Sequence, residues 1–160
     1  MSQAITDPIT FQSAQALVRQ DRVLDAAVKE VAKLDFSMLR MKLVTEDGWT
    51  LEACDHAENL YRKFLALNMR YPETKICPNG PTDEFWHAHI LDTRKYAEDC
   101  QALFGRLLHH FPYFGLRGPE DRADLERAFA GTIDLFIRHF GIDPTAGDCQ
   151  ARSCSPQSCP

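Results

Sequence analysis

Apolar residues recur at three- and four-residue intervals along most of this chain, which is the spacing that brings them onto one face of an α-helix. The longest such stripe lies between Pro119 and Gly141. It consists of Leu125, Phe129, Ile133, Phe136, Ile137 and Phe140. Proline is suited to the first position of a helix, and glycine is suited to the residue that follows its end. The pattern therefore predicts an amphipathic helix that buries one face against other helices.

Two further helices are predicted from capping residues that stand before apolar stripes. Asp21 precedes one stripe, and Thr50 precedes a longer one. The longer helix should end near Tyr71, because the proline that follows disfavours helix for the residue before it. A short earlier helix that holds Phe11 and Leu17 is also expected.

The segment at residues 36–44 is ambiguous. Residues 39–43 alternate between apolar and basic side chains, as a strand does, whereas Asp35 can cap a helix. We favour a helix, because the sequence offers no second strand for pairing.

One long helix is predicted to follow a loop at residues 72–81. Thr82 or Asp83 can cap it, and Gly105 is a natural end. This helix carries Trp86 and the first cluster of histidines.

These elements fit one all-α domain. A chain of 160 residues is long enough to bury most of its apolar surface in a single core. We predict a single-domain bundle of four to six helices over residues 1–142. Apolar content falls sharply after Ile142, so residues 143–160 are predicted to form a flexible Cys/Pro/Ser tail, either disordered or metal-binding.

Charge and hydropathy exclude several classes of function. The net charge is −5, and basic residues stand mostly singly or in pairs beside acids, so we expect no nucleic-acid partner. No apolar run approaches the ~20 residues of a membrane span, and the first eleven residues lack the pattern of a signal peptide. We therefore expect no membrane partner and a cytoplasmic location, where the six cysteines would be thiols or metal thiolates.

Four of the six histidines lie in two short clusters, at positions 87 and 89 and at positions 109 and 110. On a helix, Asp83 and His87 lie one turn apart on the same face, so a carboxylate oxygen and an imidazole nitrogen can reach one metal ion. The same spacing lets the carboxylate accept a hydrogen bond from the ring and fix its tautomer. Both uses are compatible with the spacing.

A third ligand is expected from His109 or His110, of which only one should face inward. With Asp83 and His87 it would form a mixed nitrogen and oxygen shell suited to zinc or iron. Two alternatives stay open for these histidines. They can be structural residues beside an aromatic core, or they can act directly in acid–base catalysis.

A separate role is expected for His89, because it projects about 200° away from His87 on a regular helix. It shares a stripe with Asp92 and Tyr96. We predict a polar network of these three residues, in which His89 donates a hydrogen bond to Asp92. Cys100 lies on the same side but about three turns away, too far for a thiolate–imidazole pair.

The tail contains three cysteines at five-residue intervals, Cys149, Cys154 and Cys159. Three thiols can hold zinc or cuprous copper if a fourth ligand comes from elsewhere. They can instead cross-link to a partner. A Ser/Pro/Cys segment with few apolar residues is more simply disordered, and we favour that interpretation.

Three motifs follow one another along residues 61–115. They read YRKFLAL from Tyr61, DxxWHxHILDTxxYxxDC from Asp83 and HHxPYFG from His109. In these motifs the chain resembles the glycine-rich domain-containing-protein-like family of plants, fungi and bacteria. The resemblance implies no particular reaction. The chain lacks the glycine-rich segment of longer members, and Thr82 stands where that family usually has an apolar residue.

Two functional hypotheses follow. The first is a small cytosolic helical protein with a histidine and aspartate metal site and no assigned reaction. The second is a non-catalytic interaction or scaffold module with structural histidines, in which Phe111, Tyr113 and Phe114 or the cysteine tail contact a protein partner.

Overall fold

Six α-helices lie within residues 21–146, the part of the chain that the computed structural model describes. They are α1 (Arg22–Val31), α2 (Ser37–Thr45), α3 (Leu51–Arg70), α4 (Gly80–Leu91), α5 (Thr93–Phe104) and α6 (Pro119–Phe140). No strand occurs within those residues, so the predicted all-α class is confirmed. None of these helices is long and apolar enough to cross a membrane. The helix expected around Phe11 and Leu17 lies outside the described residues, as do the tail cysteines.

Helices α1 and α3 begin at the capping residues from which they were predicted. Asp21 Oδ1 accepts a hydrogen bond from the amide of Leu24 at 3.1 Å, and Thr50 Oγ1 accepts one from the amide of Ala53 at 3.1 Å. Helix α3 ends just before Tyr71, as expected from the proline that follows. These side chains satisfy amides that have no partner within the helix.

The ambiguous segment at residues 36–44 forms helix α2 and not a strand, which confirms the favoured prediction. Asp35 accepts a hydrogen bond from the amide of Ser37 at 2.9 Å and so supports the start of the helix. Leu39 and Leu43 are buried and lie one turn apart, whereas Met41 between them is exposed. The apparent strand alternation therefore comes from a methionine that faces solvent.

Helix α3 lies at the centre of the core and contacts α1, α2 and α4. Its buried residues are Cys54, Ala57, Leu60, Tyr61, Phe64, Leu65, Ala66 and Leu67. Full burial of one such leucine or phenylalanine contributes roughly 1.5–3 kcal/mol, so α3 supplies much of the stability. Arg62 also ties α3 to the end of α1, because its guanidinium donates to the carbonyls of Val31 at 2.7 Å and Leu34 at 3.0 Å.

The prediction of a single helix from residue 82 or 83 to Gly105 is wrong in two respects. Helix α4 begins earlier, at Gly80, and Asn79 is its N-cap. The chain then leaves helical geometry at Asp92, where ψ is 69°, and Asp92 Oδ1 accepts a hydrogen bond from the amide of Lys95 at 3.4 Å. Because aspartate can cap a new helix instead of continuing an old one, α4 and α5 are separate elements.

The loop between α5 and α6 returns the chain to α4. Tyr96 on α5 donates its hydroxyl hydrogen to the carbonyl of Leu108. At the other end of the loop, the amide of Gly115 donates to Asp121 Oδ2 at 2.6 Å. Gly115 has a φ of +87°, and a β-carbon there would lie 2.6 Å from Leu125, so a larger residue would be strained. These contacts fix both ends of the loop that carries the second histidine cluster.

Candidate metal centre

Three of the predicted ligands come together where α4 meets the α5–α6 loop. Asp83 and His87 lie on successive turns of α4, and His110 reaches them from the loop. One potential ligand atom from each of the three lies within 4.8 Å of the other two. We call this group the Asp/His/His cluster. His109 is exposed and is not part of it, so only one of the two adjacent histidines faces inward.

The spacing within the Asp/His/His cluster is close to that of ligands around one ion. The Nε2 atoms of His87 and His110 are 3.0 Å apart, and His110 Nε2 is 3.3 Å from Asp83 Oδ1. Two nitrogens that bind a tetrahedral zinc at roughly 2.0–2.1 Å stand roughly 3.3 Å from each other. A metal ion would therefore require only small movements of these side chains. A hydrogen bond between the two rings also fits the 3.0 Å distance, provided that one ring is the donor.

The cluster is buried on one side and open on the other. The Asp83 side chain is 11% exposed and that of His110 is 13% exposed, whereas that of His87 is 48% exposed. Burial raises the pKa of the Asp83 carboxyl, and positive charge on His87 or His110 lowers it. A bound cation would act in the same direction as a charged imidazole and would favour the carboxylate.

A relay of contacts that the sequence did not reveal positions His110. The indole of Trp86 packs against the His110 ring at a centroid distance of 4.9 Å and an interplanar angle of 66°. The same indole donates a hydrogen bond from Nε1 to the Tyr96 hydroxyl at 2.9 Å, and that hydroxyl donates to the carbonyl of Leu108. Leu108 is only two residues before His110. Tyr96 therefore belongs to the support of the cluster as well as to the surroundings of His89.

The polar network predicted for His89 has different partners from those expected. His89 is 1% exposed, and its Nδ1 lies 2.9 Å from the Tyr61 hydroxyl. Its Nε2 lies 3.1 Å from Asp99 Oδ2, within ion-pair distance but not aligned for a hydrogen bond. The predicted hydrogen bond to Asp92 is not formed, because Asp92 caps α5 instead. Tyr96 does lie beside His89, with a ring distance of 5.0 Å.

The protonation of His89 follows from its surroundings. Burial lowers the pKa of His89 to about 4, so its ring is neutral at pH 7. Burial also raises the pKa of Tyr61 well above its ordinary value, so the Tyr61 hydroxyl keeps its proton and donates it to Nδ1. The ring hydrogen is then on Nε2, which faces the Asp99 carboxylate. This arrangement joins α3, α4 and α5 and suits a structural histidine.

The cysteines within residues 21–146 offer no ligand to the cluster. Cys54, Cys77 and Cys100 are buried, and none of them belongs to the Asp/His/His cluster. Burial raises the pKa of Cys54, so less of this thiol is in the thiolate form that binds metal.

The three aromatic residues proposed for partner contact differ in exposure. Phe111 is 50% exposed and Tyr113 is 60% exposed, and their rings meet edge to face at 5.6 Å. Phe114 is partly buried, with the ammonium of Lys75 lying 4.5 Å from its ring centre. No contact in the described part of the chain identifies a partner, so the partner surface stays a prediction.

Comparison with known proteins identifies a family. The model of the UCP032817-like family matches residues 28–144, which include all three members of the Asp/His/His cluster. No match was found among curated proteins or among solved structures. The resemblance to the glycine-rich domain-containing-protein-like family stays a prediction. Because the family model matches most of the length of the chain, the chain belongs to the UCP032817-like family.

Proposed function

We propose that this protein binds one divalent transition-metal ion, zinc or ferrous iron, through Asp83, His87 and His110. The observation that carries the proposal is the convergence of one carboxylate and two imidazoles within 4.8 Å. Such a mixed nitrogen and oxygen set is the ligand type of many zinc and non-haem iron sites. The two ligands on α4 are one helical turn apart, and the third comes from a loop that is held at both ends.

Hydrogen bonds from the two histidines to Asp83 explain the position of this carboxylate less well than a metal ion does. The distance from His87 Nδ1 to Asp83 Oδ2 is 3.6 Å, which is beyond hydrogen-bond range. The distance from His110 Nε2 to Asp83 Oδ1 is 3.3 Å, which is long for a hydrogen bond. A largely buried carboxylate is therefore left with weak partners. A cation between the three side chains would compensate its charge.

Three protein ligands leave at least one coordination position open. That is the arrangement of catalytic zinc sites, whereas structural sites usually have four protein ligands. A metal here could polarise a bound water or a substrate oxygen as a Lewis acid. The half-exposed face of His87 gives solvent access to that position.

Two further expectations form part of the proposal. We place the protein in the cytoplasm, a location supported by Cys54 and Cys100, which are buried free thiols, as reducing compartments favour. A protein partner at Phe111 and Tyr113 would be a second function, supported by the exposure of two adjacent aromatic rings.

The experiment is a zinc titration of metal-free full-length protein by calorimetry, together with elemental analysis of freshly purified protein. We expect one zinc or iron per chain in the wild type. His110→Ala should lose it, whereas His109→Ala should keep it, because His109 is exposed and outside the cluster. Circular dichroism should show that both variants stay helical. If the wild type binds no stoichiometric metal, or if His110→Ala and His109→Ala bind it equally, the proposal is wrong.

A further inference from the structure

Helix α4 carries a second carboxylate next to the Asp/His/His cluster. Glu84 directly follows Asp83 and stands three residues before His87. It is exposed, and its side chain makes no hydrogen bond or ion pair with another residue in the described part of the chain. The neighbouring Asp83, in contrast, is buried and belongs to the cluster. The carboxylate of Glu84 is therefore available to a molecule that enters from solvent.

The helical repeat places Glu84 on the open side of the cluster. Successive residues are about 100° apart around an α-helix, so Glu84 lies about 60° from His87, on the side away from Asp83. Residues at this three-residue spacing have β-carbons roughly 5–6 Å apart. Trp86 lies about 60° from Asp83 on the opposite flank, where it is buried and packs against His110. The cluster is thus closed on the side of Trp86 and open on the side of Glu84 and the half-exposed His87.

Glu84 stands beside the candidate ligands without being one of them. The group of side chains whose ligand atoms lie within 4.8 Å of one another contains Asp83, His87 and His110 but not Glu84. A carboxylate that is near a metal site and is not bound to the ion can accept a proton from a water molecule at the open coordination position. The exposure of Glu84 and its place next to His87 suit that role better than a role in metal binding.

The order of these residues along α4 is close to that of a hydrolytic zinc motif. In H-E-x-x-H, two histidines one helical turn apart bind zinc, and the glutamate after the first histidine is the general base. This chain reads D-E-x-x-H from Asp83 to His87, so aspartate replaces the first histidine and the other defined positions are kept. Aspartate is itself a zinc ligand, and catalytic zinc sites have three protein ligands. His110 supplies the third ligand here.

The ligand set favours attack on a carbonyl group over attack on a phosphate. The described residues contain one group of potential metal ligands, the Asp/His/His cluster. Phosphatases and nucleases commonly use two metal ions about 3.5–4 Å apart, whereas one zinc ion with a glutamate serves in metalloproteases. A single metal site with Glu84 beside it therefore fits the hydrolysis of a carboxylic ester or amide.

We propose that Glu84 is the general base for the hydrolysis of a carboxylic ester or amide at the metal held by Asp83, His87 and His110. Glu84 takes one proton from a water molecule at the open position, and the water oxygen forms a bond to the carbonyl carbon. The bond between that carbon and the leaving oxygen or nitrogen then breaks, and the leaving group takes the proton from Glu84. The products are a carboxylic acid and an alcohol or amine. This inference rests on the proposed metal site.

The test compares the hydrolysis of p-nitrophenyl acetate by zinc-loaded and metal-free full-length protein. We expect hydrolysis that depends on zinc. Glu84→Gln should lower kcat by roughly 100-fold or more with little change in KM, because the proton acceptor is lost and substrate binding is not. The zinc affinity of this variant, measured by calorimetry, should equal that of the wild type, because Glu84 is not a ligand. Glu84→Asp keeps a carboxylate and should retain more activity than Glu84→Gln.

Glu52→Gln is the matched control, because Glu52 is an exposed glutamate in the first turn of a different helix, α3. It should leave zinc binding and hydrolysis unchanged. Wild-type protein that binds zinc but shows no zinc-dependent hydrolysis would overturn this inference and leave the proposed metal site standing. Equal activity of Glu84→Gln and Glu52→Gln, or loss of zinc from Glu84→Gln alone, would also overturn it. Absence of zinc binding in the wild type would refute both proposals together.

Discussion

Two histidines on α4, only two residues apart, have opposite environments. His89 is fully buried, and it lies against a tyrosine and a carboxylate that come from two other helices. His87 is half exposed, and its neighbours are a carboxylate one turn earlier and a histidine from a loop. The first arrangement is closed and holds helices together. The second is open on one side and offers lone pairs to an ion, so a stability role and a binding role are separated on one helix.

Removing His89 should produce the largest loss of stability. His89→Ala leaves the Tyr61 hydroxyl and the Asp99 carboxylate without their buried partner and creates a cavity. We expect the free energy of unfolding to fall by about 3–5 kcal/mol, measured by urea denaturation. His109→Ala is the control and should change it by less than about 0.5 kcal/mol. Similar effects of the two variants would mean that His89 is not structural.

Acid should weaken the protein through His89. Its pKa in the fold is about 4, below the ordinary value of 6.5, so the stability that the neutral ring provides is present above pH 6.5 and is lost as the pH falls toward 4. The full loss amounts to roughly 3 kcal/mol. Asp83 acts in the opposite direction in the metal-free protein, because its raised pKa favours the folded state as the carboxyl takes up a proton.

The measurement is a series of urea denaturations of metal-free protein between pH 7 and pH 4. Asp83→Asn should show a steeper loss of stability than the wild type, since it lacks the compensating carboxyl. A wild-type stability that does not fall over this range would contradict the assignment of a neutral, buried His89.

Zinc should stabilise the protein through the cluster and not through His89. At a free zinc concentration of 100 times the dissociation constant, we expect an increase of roughly 2.7 kcal/mol in the free energy of unfolding of the wild type. Asp83→Asn should show little of this increase, because the charged ligand is gone. Without metal, the same variant should unfold at about the wild-type denaturant concentration. A large loss of stability in metal-free Asp83→Asn would assign Asp83 a structural role similar to that of His89.

The smallest effect on stability is expected at the hydrogen bond between Trp86 and Tyr96, which lies between the surroundings of His89 and the Asp/His/His cluster. Trp86→Phe removes the hydrogen bond from the indole to Tyr96 but keeps an aromatic ring against His110. We expect a loss of about 1 kcal/mol in the free energy of unfolding, together with weaker zinc binding, because His110 is less firmly positioned. Tyr96→Phe should have a similar effect on zinc binding. Unchanged zinc affinity in both variants would show that this relay does not support the cluster.

Local patterns in the sequence predicted the parts of the molecule that local forces determine. The ends of α1 and α3 follow from Asp21 and Thr50, because capping involves residues only three positions apart. The pairing of Asp83 with His87 follows from the helical repeat in the same way. For the segment that forms α2, the alternation of apolar and basic residues suggested a strand. The lack of a second strand in the sequence correctly favoured a helix.

Features that depend on distant contacts could not be predicted. The partners of His89 are Tyr61, which is 28 residues earlier, and Asp99, which lies on a helix that begins only because Asp92 interrupts the preceding one. The predicted hydrogen bond between His89 and Asp92 assumed that one helix continues through Asp92. The choice of His110 over His109 depends similarly on the path of a loop, which is set by the contact between Tyr96 and Leu108.

X-ray absorption spectroscopy of the zinc-loaded full-length protein tests the central claim most directly. It reports the type and distance of the atoms bound to the metal. We predict a shell that contains two imidazoles and a carboxylate oxygen at roughly 2.0–2.2 Å, and one imidazole fewer in His110→Ala. A shell made only of sulfur at about 2.3 Å, unchanged in His110→Ala, would contradict a metal site at Asp83, His87 and His110.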